Sequence, residues 1–277
     1  MKLRTIDNLE VRGKIVLLRC DLNVPVSEEG EVTDISRMER LLPTVSQLSS
    51  KGAKIALLSH FGRPKGKFDE KFSLGNLSDI LADVLKADEI TVIPDCIGRV
   101  TRKVLEDLPE GGIALLENVR FYLGEEKNDP VFSKSLSKIA DLYINDAFSV
   151  SHRKHASING ITKFLPSYAG RAFQFEIEML NKILEKSVPP VSAIIGGSKV
   201  STKLNILGNL VEKMQTIAIG GGMANTFLAA KNISIGSSFY EESMIDDAKV
   251  ILQKADKVGC SILLPIDAVI ADKVEMG

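Results

Sequence analysis

The chain has 277 residues, 44% of them hydrophobic and 26% charged, with a formal net charge of −1. That length supports one or two packed cores, and the near-neutral balance supplies no global field toward nucleic acid or an anionic membrane, so neither is an expected partner. Cys20, Cys96 and Cys260 lie far apart in the chain, form neither a disulfide framework nor a zinc spacing, and fit buried thiols in a reducing cytosol. No apolar run approaches the ~18 residues of a spanning helix, and the opening MKLRTIDNLE has no apolar signal core, so a cytoplasmic protein is expected.

Short apolar runs closed by polar residues or glycine recur at Lys14 to Leu18, Ala53 to Leu58, Ile90 to Ile93, Gly112 to Leu116 and Leu142 to Ile144, then at Val191 to Ile195, Thr216 to Ile219 and Ser261 to Leu264. They predict parallel strands buried on both faces. Between them, helical periodicity covers Leu74 to Leu85, Ile97 to Leu108, Asp129 to Ile139, Val200 to Met214 and Ser243 to Val258. The alternation predicts an α/β fold of two doubly wound parallel-sheet, Rossmann-like domains. The longest helical stretch, about Tyr168 to Lys186, runs into Ser187-Val188-Pro189-Pro190, where prolines stop a helix and mark the expected domain boundary. Five strands precede it and three follow, so the second domain reads as incomplete. Nothing in Asp272 to Gly277 resembles a closing element, and the chain is expected to stop inside a βα connection.

Several strands end in basic and polar groups: Arg19 to Asn23, Ser59 to Arg63, Glu117 to Arg120, Asn145 to Phe148 and Gly196 to Lys199. Ligands of open parallel sheets bind beyond the carboxyl ends of the strands, so these endings outline a rim suited to an anion. In LLRCDLNVP, Arg19, Asp21 and Asn23 occupy alternating positions and are expected to share one face before Pro25 turns the chain. Arginine reads carboxylate or phosphate, and Asp and Asn take hydroxyls; alone, the motif reads equally well as a structural ion pair. SHFGRPKG adds His60, Arg63 and a close-approach glycine, LLENVRF adds Arg120, and NDAFSVSHRKHAS adds His152, Arg153 and His155. Further on, GGSK ends a strand and is expected to open a helix whose N–H groups face phosphate, and a second strand ends in Gly220-Gly221-Gly222.

In this order and wording, RCDLNVP, SHFGRPKG, LLENVRF, NDAF with HRKHAS, GGSKV and GGGMANTFL resemble the phosphoglycerate kinase family over about residues 3 to 273. The resemblance implies reversible phosphoryl transfer from 1,3-bisphosphoglycerate to Mg-ADP, giving 3-phosphoglycerate and ATP, by a monomer that closes about a hinge. It implies a phosphoglycerate-binding domain over residues 1–168, a hinge helix over 169–187 and a partial nucleotide-binding domain over 188–277. Asp21 and Asn23 match residues at the glycerate end. His60, Phe61, Gly62, Arg63, Arg120 and Arg153 match the substrate-binding cluster around its phosphate. Arg37 and Lys199 match the groups at the phosphoryl in flight, and Gly197, Lys203, Gly220, Gly221 and Gly222 the nucleotide site. Mg²⁺ enters with the nucleotide, and no metal ligand is assigned, because the family's metal-nucleotide Asp belongs to a segment without counterpart here.

Ser149, Val150 and Ser151 stand where many members read GTA, Thr202 where many have Asp, and Asn225 where an aromatic is common. His152 and His155 read as structural histidines. A Rossmann dehydrogenase lacks its G-x-G-x-x-G after the first strand, and no Walker motif occurs, Gly66-Lys67 being followed by Phe68. The remaining alternatives are an inactive chain that binds 3-phosphoglycerate only, or one completed by a separate polypeptide.

Overall fold

The computed structural model describes residues 3–184 and 189–271, which fall into two compact units, Met1–Glu178 and Met179–Gly277. The dividing point lies inside a helix. Of the proline-marked boundary expected from sequence, Ser187 and Val188 lie outside the described residues, as do Asp272 to Gly277.

In the first unit, β1 (Ile15–Arg19), β2 (Lys54–Leu58), β3 (Thr91–Ile93), β4 (Ile113–Leu116), β5 (Leu142–Asn145) and β6 (Ser167–Ala169) form one parallel sheet in the order β3-β4-β2-β1-β5-β6. Around it lie α1 (Ser36–Glu39), α2 (Leu42–Ser50), α3 (Ser78–Leu85), α4 (Gly98–Asp107), α5 (Leu123–Glu126) and α6 (Pro130–Ser137), and α7 (Arg171–Leu184) starts in this unit and runs past its end at Glu178. Side chains alternate between two cores, as strand geometry requires. Val16, Leu18, Ile55 and Leu57 pack with Leu48 of α2 and Leu81 of α3. Ile15, Leu17, Ala56 and Leu58 pack with Leu105 of α4 and Leu136 of α6 on the other face. The apolar runs are continuous because both faces are covered.

The chain moves along this sheet in one direction from β1 through β2 to β3, then in the other from β3 through β4 and β5 to β6. Right-handed crossovers therefore send the connections leaving adjacent β1 and β5 to opposite faces, which opens a crevice beyond their carboxyl ends. All five strands expected before the boundary form. A sixth, β6, escapes sequence reading because Ser167-Tyr168-Ala169 has no apolar run. Helix α2 also went unpredicted: Pro43 looks like a breaker, yet it sits in the first turn, where its missing N–H is tolerated.

In the second unit, β7 (Ser192–Gly196), β8 (Thr216–Gly220) and β9 (Ser261–Leu263) form a parallel sheet in sequence order. Helices α8 (Leu204–Val211), α9 (Gly222–Ala230) and α10 (Ile245–Val258) accompany it. Leu207, Phe227 and Ile251 pack on Ile217 and Ile219. Strands added in a single direction place their crossovers on one face. Unlike the first sheet, these strands are therefore covered on one side: Ile194 is 88% exposed and Leu263 53%. Helix α9, unpredicted from sequence, begins directly at Gly222, the last of a run of three glycines.

Candidate active site

Arg19, the last residue of β1, is 2% exposed. Its Nε donates to Ser157 Oγ at 3.1 Å, one Nη donates to the Cys20 carbonyl, and the other reaches His60 Nδ1 at 3.1 Å. Arginine only donates, so Nδ1 accepts and the His60 proton sits on Nε2. Burial, reinforced by Arg19, Arg120, Arg153 and His155, pushes the His60 pKa down to about 2. A neutral imidazole thus stands among cations and offers one N–H. Behind it, buried Glu125 accepts the Ser157 N–H at 2.8 Å and the Ser157 hydroxyl at 2.6 Å, and lies 3.7 Å from His155 Nδ1. His155 itself is held below its ordinary pKa, mainly by burial.

Arg120, which follows β4, is 6% exposed. Its Nη1 donates to the Gly62 carbonyl at 2.8 Å. Its Nε is a buried donor with no hydrogen-bond partner among the described residues, with Glu126 Oε1 at 3.4 Å. Burial lowers its pKa. Asn23 Oδ1 accepts the Gly62 N–H at 2.8 Å, so Gly62 is held from both sides. Only glycine suits this position: φ is +58°, and a Cβ would lie 2.4 Å from the Phe72 ring. Phe61 turns inward, edge-on to Phe72 at 6.4 Å, so its side chain belongs to the core rather than to the rim. Arg63 is exposed and Arg153 half-buried, and neither makes a side-chain hydrogen bond or ion pair among the described residues.

Alternation continues past the end of β1, because Cys20, Leu22 and Val24 pack in the same core as Val16 and Leu18. Arg19, Asp21 and Asn23 fall between them, and each finds separate partners. Asp21 Oδ2 accepts Arg37 Nη1 at 2.6 Å and Ser149 Oγ at 2.6 Å, while Oδ1 accepts the Asn23 N–H at 3.1 Å. Arg37, from α1, keeps a half-exposed side chain. Asp21, Arg37 and Ser149 line a cleft of about 360 Å³ together with Asp146 and, from α7, Ala172 and Glu176. This cleft sits at the β1/β5 switch point. Asp146 is 4% exposed and accepts Thr44 Oγ1 at 2.6 Å and the Phe173 N–H at 3.0 Å. The Thr44 hydroxyl in turn accepts the Arg171 N–H at 2.8 Å. Asp146 and Thr44 thereby satisfy first-turn donors of α7 that have no intrahelical acceptor. Burial raises the Asp146 pKa. Asp146 lies in the NDAF motif, but its cap on α7 carries no sequence signal because Thr44 and Arg171 are remote in the chain.

In the second unit, GGSK does not open a helix. Turns occupy residues 201–203 and α8 starts at Leu204, so the expected row of helix N–H groups at Gly196 to Lys199 is not formed. Gly220 to Gly222 lead into α9 instead. Gly221 has φ +69°, and a Cβ there would lie 2.9 Å from the Gly197 carbonyl oxygen and 3.1 Å from the Gly197 nitrogen. The two strand ends therefore touch backbone to backbone, joined by the Met223 N–H donating to Gly197 O at 2.8 Å. The Lys203 side chain lies over Gly197, its Cε 3.1 Å from where a Cβ would be. Lys199 is exposed, beside Glu241, which accepts the Ser201 hydroxyl at 2.6 Å. Gly221 also borders an apolar cleft of about 750 Å³ formed by Ala224, Leu228, Ile262 and Leu264. Among the described residues, no three His, Cys, Asp or Glu side chains converge as a metal site, and no helix is long and apolar enough to cross a membrane.

A protein-family model described as "Phosphoglycerate kinase" matches residues 6–277. The phosphoglycerate kinase of Chelativorans sp. (strain BNC1) is 51% identical over 275 residues, which cover 99% of this chain and 69% of that protein. That of Rhodopseudomonas palustris is 51% identical over 268 residues, 97% of this chain and 67% of that protein. Among solved structures, phosphoglycerate kinase from Coxiella burnetii superposes with a TM-score of 0.85 at 36% identity, covering 99% of this chain and 68% of that one. The Pyrococcus horikoshii OT3 enzyme gives 0.78 at 29% identity, covering 95% and 67%. The chain spans about two thirds of the length of these relatives. The matched sequence, the six-stranded parallel sheet and the cationic cluster at its strand ends agree, and the chain belongs to the phosphoglycerate kinase family.

Proposed function

We propose that the chain carries out reversible phosphoryl transfer between 1,3-bisphosphoglycerate and Mg-ADP, yielding 3-phosphoglycerate and ATP. The observation that carries this reading is the cluster around His60. Arg19, Arg120, Arg153 and His155 surround one neutral imidazole, and among the described residues the buried Arg120 Nε has no hydrogen-bond partner, with the Glu126 carboxylate at 3.4 Å. Such a surplus of donors calls for an anion, and a phosphate supplies the acceptors. Residues 1–168 then bind the phosphoglycerate: Asp21 and Asn23 hold the glycerate end, and His60, Gly62, Arg63, Arg120 and Arg153 surround the phosphate. Helix α7 (Arg171–Leu184) is the proposed hinge helix, and residues 188–277 bind the nucleotide.

In this reading a β-phosphate oxygen of ADP attacks the acyl phosphorus, the phosphorus–oxygen bond to the carboxyl breaks, and the carboxylate leaves. No proton needs to move. The work is positioning two polyanions and stabilising charge on the transferring oxygens. Arg37 suits that task because it is half-exposed and held by a single ion pair to Asp21, from which it can turn to the phosphoryl group. Lys199 is its proposed counterpart. The close-packed Gly197 and Gly221 admit phosphate to the backbone beside Lys203, with Gly220 and Gly222 flanking them and the apolar cleft next to Gly221 taking the base. Mg²⁺ is carried by the nucleotide phosphates. We place the protein in the cytoplasm as a monomer.

The test is a calorimetric titration of the chain with 3-phosphoglycerate and with Mg-ADP, run beside an assay for ATP formation from 1,3-bisphosphoglycerate. The expected results are saturable binding of both ligands and turnover. Absence of 3-phosphoglycerate binding would overturn the assignment of the basic cluster.

A further inference from the structure

Asp21 has an unusual set of partners for a residue that must receive a ligand. A carboxylate has about four acceptor sites, and three are used: Arg37 and Ser149 both donate to Oδ2 at 2.6 Å, and the Asn23 N–H donates to Oδ1 at 3.1 Å. Among the described residues a single site, on Oδ1, remains. The two donors on Oδ2 differ in character. Arg37 sits on a long, half-exposed side chain. Ser149 has a short side chain on a braced loop: Asn145 Oδ1 accepts the Ala147 N–H at 3.0 Å, Asn145 Nδ2 donates to Ser151 Oγ at 3.0 Å, and Ser151 Oγ donates to the Ala147 carbonyl at 2.8 Å. A short 3₁₀ turn over Phe148–Val150 carries Ser149 between these staples.

We propose that Ser149 is a positioning residue for Asp21. Its hydroxyl holds Oδ2 in place whether or not Arg37 is engaged there, which keeps the free site on Oδ1 aimed at one ligand hydroxyl and lets Arg37 leave without releasing the carboxylate. Discrimination for a ligand bearing a hydroxyl next to its carboxylate therefore depends on residue 149. This inference rests on the proposed role of Asp21 at the glycerate end.

Ser149 is exposed and has no positive φ, so Ser149→Ala and Ser149→Thr leave the fold intact. The readout is the ratio of affinities for 3-phosphoglycerate and for 3-(phosphonooxy)propanoate, which lacks only the 2-hydroxyl, measured by calorimetry. A merely structural role would change both affinities together and leave the ratio alone. Ser149→Ala is expected to lower the ratio about tenfold, the scale of one hydrogen bond to a charged group, and Ser149→Thr, which keeps the hydroxyl, to restore most of it. Asp21→Ala is the control that separates the two layers of reasoning. If Asp21→Ala leaves the ratio unchanged, Asp21 does not read the hydroxyl and the underlying assignment fails. If Asp21→Ala collapses the ratio and Ser149→Ala does not, the role of Ser149 is overturned.

Discussion

Replacing Asp146 with alanine removes the side chain that joins the cleft floor to α7. Two donors lose their acceptor, the Thr44 hydroxyl at 2.6 Å and the Phe173 N–H at 3.0 Å. Loss of a helix N-cap typically costs ~1 kcal/mol and up to ~2, and a buried donor left without a partner costs ~1–3 kcal/mol. Two effects reduce the sum. Thr44 still accepts the Arg171 N–H, and removing a carboxylate whose pKa burial has raised relieves an unfavourable desolvation. The net expectation is a loss of about 2–3 kcal/mol, with Asp146→Asn retaining one acceptor and losing about half as much. Urea unfolding followed by tyrosine signal is a suitable assay: the protein has no Trp and four Tyr, of which Tyr122, Tyr143 and Tyr168 lie in the first unit. Fitting must allow the second unit its own transition. A loss below about 0.5 kcal/mol, the level of an ordinary surface substitution, would refute the capping argument.

Arg120→Ala is expected to weaken 3-phosphoglycerate binding by ~1.5–3 kcal/mol in calorimetry, and Arg63→Ala to weaken it in the same direction; unchanged affinity for both would mean that the phosphate sits elsewhere. Arg37→Ala is expected to leave that affinity largely intact while abolishing transfer, so a large loss of binding would reassign Arg37 to the ground state. The depressed pKa of His60 means that the unfolded chain takes up a proton below pH ~6.5 that the folded chain refuses. Stability from this group is therefore fully present above that pH and falls by up to ~1.4 kcal/mol per unit as pH drops below it. In urea titrations between pH 5 and 7, His60→Gln should flatten the slope, and an unaltered slope would show that His60 titrates alike in the folded and unfolded chain, which refutes the depressed pKa. Gly221→Ala places a Cβ 2.9 Å from the Gly197 carbonyl at a φ of +69°, so Mg-ADP affinity should fall at least tenfold while 3-phosphoglycerate affinity holds; equal loss of both would point to general unfolding instead.

The first sheet was legible because strands buried on both faces leave continuous apolar runs; the three runs of the second unit also became strands, although these are covered on one side and not on both as expected. The polar rim was legible for a related reason. A strand that ends at a surface turn ends in Gly, Asn or Pro, so Arg and His at several strand ends are surplus to turn chemistry and ask for a ligand. What the residue types could not reveal is which of those charges remain available. Arg19 and Arg37 look alike in the sequence, yet Arg19 is spent inward on Ser157, the Cys20 carbonyl and His60, and Arg37 is held by Asp21. Among the described residues Arg63 and Arg153 have no such partners, and Arg120 Nε has the Glu126 carboxylate at 3.4 Å but no hydrogen bond. Counting arginines in the motifs therefore overstates the positive charge that meets a ligand, and the correction comes from contacts between residues more than a hundred positions apart, such as Asp21 with Ser149 and Arg19 with Ser157. The second unit shows the same limit in backbone form: GGSK is expected from sequence to open a helix toward phosphate, but of the two glycine runs the one before Met223 leads directly into a helix. Where a site is made by a side chain's own chemistry, the sequence names it; where it is made by which neighbour has already claimed that side chain, or by where a helix begins, only the folded arrangement does.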